Sequence, residues 1–281
     1  GSGYGVYLYG RTGVTLQNLI VKTFEFGIYL DSSSGNTLIN NVASNNTKTG
    51  IRLYNHSENN VLRGNQANSN NELGIGIYNS GGNFLRDNTM SDNRHNFNAY
   101  IRMNNDIDTS NLVDGRPIYY IIGAVGTTYD SSTNAGTFYA IDCDGITIKD
   151  LTPSNNAIGI CLWNTHNSTV ENVTATGNSD GISLRTYSSG NTLVGNIATN
   201  NDLSGIGILT PKCSSNTLTG NVCSLNNTGI LLAATEDNDL TGNRCHSNKE
   251  SGIDLWDSDD NTVKDNTCWN NRYGIHLRDS S

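Results

Sequence analysis

The stretch Gly252-Ile-Asp-Leu-Trp-Asp-Ser-Asp-Asp-Asn261-Thr-Val-Lys-Asp-Asn266-Thr-Cys268-Trp-Asn-Asn271-Arg-Tyr-Gly274 decides the fold, because its pattern recurs along the chain. A glycine followed by an aliphatic residue, any residue and a second aliphatic opens the unit at Gly5, Gly27, Gly50, Gly74, Gly159, Gly181, Gly229, Gly252 and Gly274, with Gly205 a variant. Successive members lie 22 to 24 residues apart wherever the series is unbroken. A second beat keeps phase with the first: Asn36/Asn41, Asn60/Asn65, Asn83/Asn88, Asn191/Asn196, Asn216/Asn221, Asn238/Asn243 and Asn261/Asn266. A period of this length marks a solenoid, in which each unit buries its apolar face only against its neighbours.

The aliphatic pair sits two apart, which places both side chains on one face of a strand and disfavours a helix. Asn and Gly separate the short apolar runs, and they tolerate the left-handed conformations that tight corners require. Three strands and three corners make one coil of a parallel β-helix, stacked on the next at about 4.8 Å. Equivalent side chains then form ladders, so Asn196, Asn221, Asn243 and Asn266 are expected to stack at one corner. The interval from Gly74 to Gly159 is irregular, and two degenerate coils are read there, one from Asn98 and one from Gly136. The fold class predicted is all-β: a single-domain right-handed parallel β-helix of about twelve coils over residues 1–281, with one protruding insertion at about 104–135.

Composition narrows the function. A net charge of −9 argues against a nucleic-acid partner, which needs a basic face. No apolar run approaches the length of a membrane span, so no membrane insertion is expected. The chain opens with Gly-Ser-Gly already in repeat register, as expected of an excised domain with a cloning remnant, and a monomer or part of a larger surface protein is expected. Five Asn-X-Ser/Thr triplets are compatible with an extracellular or cell-surface setting, although an Asn-rich repeat generates such triplets by chance. Of the six cysteines, Cys223, Cys245 and Cys268 recur at one place where other coils carry Ala43, Ala67, Met90 and Ala198. An inward ladder of small apolar side chains is the simplest reading, and no metal-ligand spacing is present.

Function is then sought at outward positions, since inward ones are consumed by packing. The two outward positions of G-I-x-L-x tile one sheet. The expected rows run through Tyr29, Arg52 and Tyr100, and through Asp31, Tyr54, Tyr78, Arg102, Trp163 and Arg185. An aromatic floor with interspersed arginines suits sugars, whose C–H faces stack on rings while carboxylates take guanidinium contacts. With the insertion as one wall, the groove brings Arg52, Tyr54, Tyr78, Tyr100, Arg102, Trp163 and Arg185 together, with Asp31 nearby. If the groove is catalytic, Tyr100 or Tyr139 is the acid–base candidate, with Arg52, Arg102 and Arg185 neutralising a uronate carboxylate, although strict register with Gly136 turns Tyr139 inward. A second candidate cluster joins Asp254 to His276 and Trp256 to Arg278 in adjacent coils. Asp257, Asp259 and Asp260 form an acidic corner where Ca²⁺ is the cation to consider.

The repeat, together with the interruption DIDTSNLVDGRPIYY, resembles the right-handed parallel β-helix proteins of the NosD or CASH type, carbohydrate-binding proteins and sugar hydrolases found among archaeal surface proteins. The resemblance covers essentially the whole chain. It implies extracytoplasmic location and binding, lysis, hydrolysis or epimerisation of a polysaccharide; NosD members are linked to maturation of a copper site. The chain carries only two Met and no Cys, Met or His constellation suited to copper, and the Asp-Pro-His motif of the epimerase relatives is absent. The expectation is therefore binding and cleavage of an acidic polysaccharide, lyase chemistry before hydrolysis. The alternative is a non-catalytic glycan-binding or structural solenoid.

Overall fold

The computed structural model describes residues 2–209 and 212–280. The chain forms two compact units, Gly1–Tyr120 with Asn155–Ala157, and Ile121–Ser154 with Ile158–Ser281. In the first, the strands Tyr4–Tyr9, Phe26–Asp31, Thr49–Tyr54, Leu73–Tyr78 and His95–Tyr100 pair in parallel in chain order. In the second, Thr137–Ile141, Ile158–Trp163, Asp180–Arg185, Ser204–Leu209, Thr228–Ala233, Ser251–Trp256 and Tyr273–Arg278 do the same. Five long strands in one unit and seven in the other give twelve coils of a parallel β-solenoid, as the period predicts. Shorter strands build the remaining walls, for example Thr169–Glu171, Thr192–Val194 and Thr217–Thr219 on one wall and Ile197–Thr199, Val222–Ser224 and Arg244–His246 on another.

The interior is a set of stacked rows. Ile28, Ile51 and Ile75 are fully buried on the long strands, with Leu38, Leu62 and Leu85 on a short wall. Ala198, Cys223, Cys245 and Cys268 stand in register as an inward ladder, and all six cysteines are free. Each repeat glycine before Gly274 lies where the neighbouring coil crowds it. A Cβ at Gly229 would lie 2.4 Å from the Gly252 carbonyl oxygen and 2.9 Å from the Asn248 amide nitrogen, so no other residue fits without displacing backbone.

Corner polar groups are satisfied by asparagine ladders. The Asn196 backbone N–H and Nδ2 both donate to Asn221 Oδ1, at 3.0 and 2.9 Å, and Asn221 repeats the pattern onto Asn243, which repeats it onto Asn266. The second amide hydrogen goes to a main-chain carbonyl, Leu193 O in the case of Asn221. One buried side chain thus closes four hydrogen bonds and leaves nothing unpaired.

The irregular interval departs from expectation in two ways. The glycine place is taken by Asn96 and Thr137, because Phe97 pairs with Ile75 and Phe138 with Ile160. Both readings, from Asn98 and from Gly136, were out of register. Much of the segment expected to protrude is coil wall: Asp106–Ile107 pairs with Phe84–Arg86, Leu112–Val113 with Thr89–Met90, and Thr128–Tyr129 with Thr147–Lys149. The Asn ladders continue into it through Asn105 and Asn111, which holds these residues to the coil spacing. The added structure begins at a tight turn, with Asp114 and Gly115 both left-handed, that reverses the chain onto Arg116–Ile122.

Candidate functional site

On the first unit's long strands the outward side chains form two rows. One is Tyr7, Tyr29, Arg52, Gly76 and Asn98; the other is Tyr9, Asp31, Tyr54, Tyr78 and Tyr100. The rings stack along the axis. Tyr4 lies 4.5 Å from Tyr7 and 5.3 Å from Tyr29, and Phe26 lies 5.2 Å from Tyr29. Burial raises the Tyr29 hydroxyl to about 12 against the nearby Arg52 charge, so it stays protonated at neutral pH.

Arg52 occupies the middle of this face. Its guanidinium carbon is 4.9 Å from the ring centres of both Tyr54 and Tyr78 and 5.5 Å from those of Phe26 and Tyr29. No carboxylate or carbonyl accepts a hydrogen bond from it, and its Nε is buried without a partner. The next place in its row is Gly76, where an added Cβ would lie 2.6 Å from Leu73 Cδ2 and 2.8 Å from Tyr78 Cε2, so the Tyr78 ring packs directly over the glycine. Beyond it, Asn98 donates from Nδ2 to the Tyr78 hydroxyl at 3.1 Å and keeps a buried Oδ1 with no donor. Beside the row, Tyr54, Tyr78, Tyr100 and Ile101 border a cleft of about 340 Å³.

Several expected members stand elsewhere. Tyr100 lies in the row of Tyr54 and Tyr78, not that of Arg52, because the register slips by two at this coil. The same slip carries Arg102 past the strand end, where it donates to Asn79 Oδ1 at 3.0 Å and to Glu58 Oε1 at 2.8 Å. Asp31 is half-buried, accepting from Ser32 Oγ at 3.1 Å with the Tyr7 hydroxyl 3.5 Å away. Asn98 is a member of the row that the sequence reading missed, because it was assigned the glycine place and so was never considered as a side chain.

In the second unit, Tyr139 falls in the outward row with Cys161 and Ser183, but that stretch of the face is closed to solvent and all three are buried. A fully buried phenol cannot exchange protons with a polymer, so Tyr139 leaves the candidate set. Trp163 and Arg185 share the second row, with Trp163 half-buried. Arg185 is committed internally: Nη2 meets Asp180 Oδ2 at 3.0 Å, Nε meets Ser183 Oγ at 2.9 Å, and Asp180 also accepts from Ser204 Oγ at 2.6 Å. It is therefore not free to neutralise a substrate carboxylate.

The second cluster does assemble. Arg278 donates from Nε and Nη2 to the two oxygens of Asp254, at 3.2 and 2.8 Å, and His276 Nδ1 lies 3.7 Å from Asp254. Tyr273 stacks on His276 at 4.6 Å, and Arg278 lies 5.3 Å from the Trp256 ring. The acidic corner does not form a cation site: Asp257, Asp259 and Asp260 are exposed, and among the described residues no three of His, Cys, Asp or Glu converge to hold a metal.

Comparison with known proteins identifies the fold. A family described as periplasmic copper-binding protein (NosD) matches residues 98–253, and one described as right handed beta helix region matches residues 1–116. None of the curated proteins compared with the chain matches it. Among solved structures, a double mutant of the periplasmic alginate epimerase AlgG shares 17% identity with a TM-score of 0.52, over 94% of this chain and 65% of that one. The Azotobacter vinelandii mannuronan C-5 epimerase AlgE6 A-module shares 11% over 96% of this chain and 90% of that one, TM-score 0.43. At these identities the likeness establishes the fold alone.

Copper requires converging soft or imidazole donors, and the donors here do not supply them. Five of the six thiols are buried, and burial raises Cys161 to about 12 and Cys213 to about 11, away from the thiolate a metal would need. Met90 and Met103 are core residues. The residues present do not fit a copper site.

Proposed function

This chain belongs to the NosD family, and on that premise we propose that the long-strand face of its first unit binds an acidic extracytoplasmic polysaccharide. The observation that carries the reading is Arg52. Aromatic faces hold a guanidinium in place and replace part of its hydration, but they do not neutralise it. In a chain of net charge −9, a cation with no carboxylate partner at the centre of a ring-lined face calls for an anion from outside. A uronate supplies one: its carboxylate takes the guanidinium while its C–H face rests on Tyr54 or Tyr78. Arg102, Arg185 and Arg278 are each paired with a protein carboxylate and offer no such vacancy. Among the described residues no helix is long and apolar enough to cross a membrane.

Cleavage by β-elimination is the second reading, favoured by the contact of Arg52 with two tyrosine rings. A carboxylate neutralised by Arg52 acidifies the neighbouring C–H. A tyrosine in its phenolate form takes that proton and becomes neutral, the C–O bond to the leaving sugar breaks as the C=C bond forms, and the leaving oxygen takes a proton from a second tyrosine or from water. Hydrolysis fits less well, because it needs two carboxylates and Asp31 is the only one in the two rows.

Calorimetric titration with uronate polymers tests the binding. Arg52→Gln should weaken it by about 1.5–3 kcal/mol, the range for a charged hydrogen bond, while Arg102→Gln should change it little. Equal affinity in wild type and Arg52→Gln removes the proposal. Growth of the ultraviolet absorbance of unsaturated uronate adds elimination to binding; a flat trace with retained binding leaves a binding module.

A further inference from the structure

We propose that the cleft between the last two long strands of the second unit is a separate saccharide subsite, selective for an uncharged pyranose. The cleft is about 400 Å³, within the range of small-molecule pockets, and is bordered by Leu231, Asp254, Trp256, Tyr273, His276 and Arg278. It has the two chemical parts that a sugar needs. The apolar part is Trp256, whose side chain is left 51% exposed, with Leu231 and the stacked Tyr273–His276 pair around it. The polar part is the Asp254 carboxylate, only 8% exposed, and the His276 ring 3.7 Å from it. Each Asp254 oxygen accepts one bond from Arg278 and retains a second lone-pair position for a hydroxyl. His276 is too far from Asp254 for a hydrogen bond, so its ring nitrogens stay available to a ligand.

Charge sets the class of ligand. Arg278 is neutralised by Asp254 and Arg272 by Glu250 at 3.1 Å, so the cleft offers no unbalanced cation to an anionic sugar. This is the opposite of Arg52. Burying a second anion beside Asp254 would be opposed, whereas hydroxyls of a neutral ring meet both acceptor and donor. The site binds rather than cleaves, because hydrolysis needs a pair of available carboxylates and the two that line the cleft, Asp254 and Glu250, are each held by an arginine.

The test is calorimetric titration of the whole chain with neutral oligosaccharides, alone and with a saturating uronate polymer. Saturable binding of a neutral oligosaccharide that the acidic polymer does not displace is expected, whether or not the acidic polymer itself binds. Trp256→Ala should weaken it at least tenfold, with Trp256→Phe intermediate and the thermal transition of both variants unchanged. Asp254→Asn, by leaving Arg278 unbalanced, should move preference toward uronates. No binding by any neutral oligosaccharide, indifference to Trp256→Ala, or an Asp254→Asn variant with wild-type charge preference would each overturn the proposal.

Discussion

At the scale of single residues, the asparagines carry more than their exposed counterparts. Asn221 accepts two hydrogen bonds from Asn196 and gives three, two to Asn243 and one to Leu193 O, all away from water. Asn221→Ala keeps the backbone donor and its acceptor, Asn243 Oδ1, but removes the side-chain oxygen that accepts from Asn196 and so strands both Asn196 donors. A loss of about 2–4 kcal/mol is expected, since buried unsatisfied groups cost about 1–3 kcal/mol each, and urea unfolding would measure it. The ladders were legible because Asn recurs at fixed intervals in the sequence. Arg52 was legible only by type and row. Its want of a carboxylate depends on which side chains stand one coil above and below, and Arg185 shows the opposite outcome in the same pattern, where Asp180 of its own strand reaches it. Tyr139 failed for a similar reason: alternation assigns a face but does not reveal what closes that face to solvent.

At the scale of an element, the corner after each long strand governs which side chains stay on the face. Ile101 and Arg102 are both left-handed there, at φ 59° and 55°, as are Thr186 and Tyr187 at 45° and 60°. A β-branched residue in this region is strained by about 1–2 kcal/mol. Ile101 is 42% exposed, so little burial offsets the strain. Ile101→Asn should therefore raise stability by about 1 kcal/mol, read as a higher urea midpoint at unchanged slope; a lower midpoint would mean that the isoleucine's contacts at the Tyr100 cleft outweigh its backbone. The register error in the sequence reading also belongs to this scale. Asn96 and Thr137 stand where other coils have glycine, so the strongest marker was missing and a nearby Asn98 and Gly136 took its place. Backbone pairing, not residue type, fixes those two coils.

At the scale of the whole molecule, charge and ligand oppose each other. On the proposed reading, a chain of net charge −9 repels an acidic polymer at long range while Arg52 takes one sugar of it at contact. Salt screens charges separated by more than about 8–10 Å at ordinary ionic strength. Stopped-flow mixing should therefore show association with a uronate polymer accelerating as salt rises from 10 to about 150 mM, the reverse of electrostatic steering. Dissociation should quicken too, since the Arg52 contact is partly exposed. An association rate that falls with salt would point instead to a local basic surface stronger than Arg52 provides. Solenoid class and coil number were readable from period alone, because repetition averages over irregular coils. The ligand proposed for each unit was not, since it rests on which charges cancel.

The asparagine stacks share a sense that has an electrical consequence. In every link the donor belongs to the earlier coil and the carbonyl oxygen to the later one, through Asn191, Asn216, Asn238 and Asn261 as through Asn196 to Asn266. Side-chain amide dipoles aligned head to tail add, as peptide dipoles do along a helix. Each unit thus behaves as a small electret, with its positive pole toward the later coils and its negative pole toward the earlier ones, independent of any ionised group.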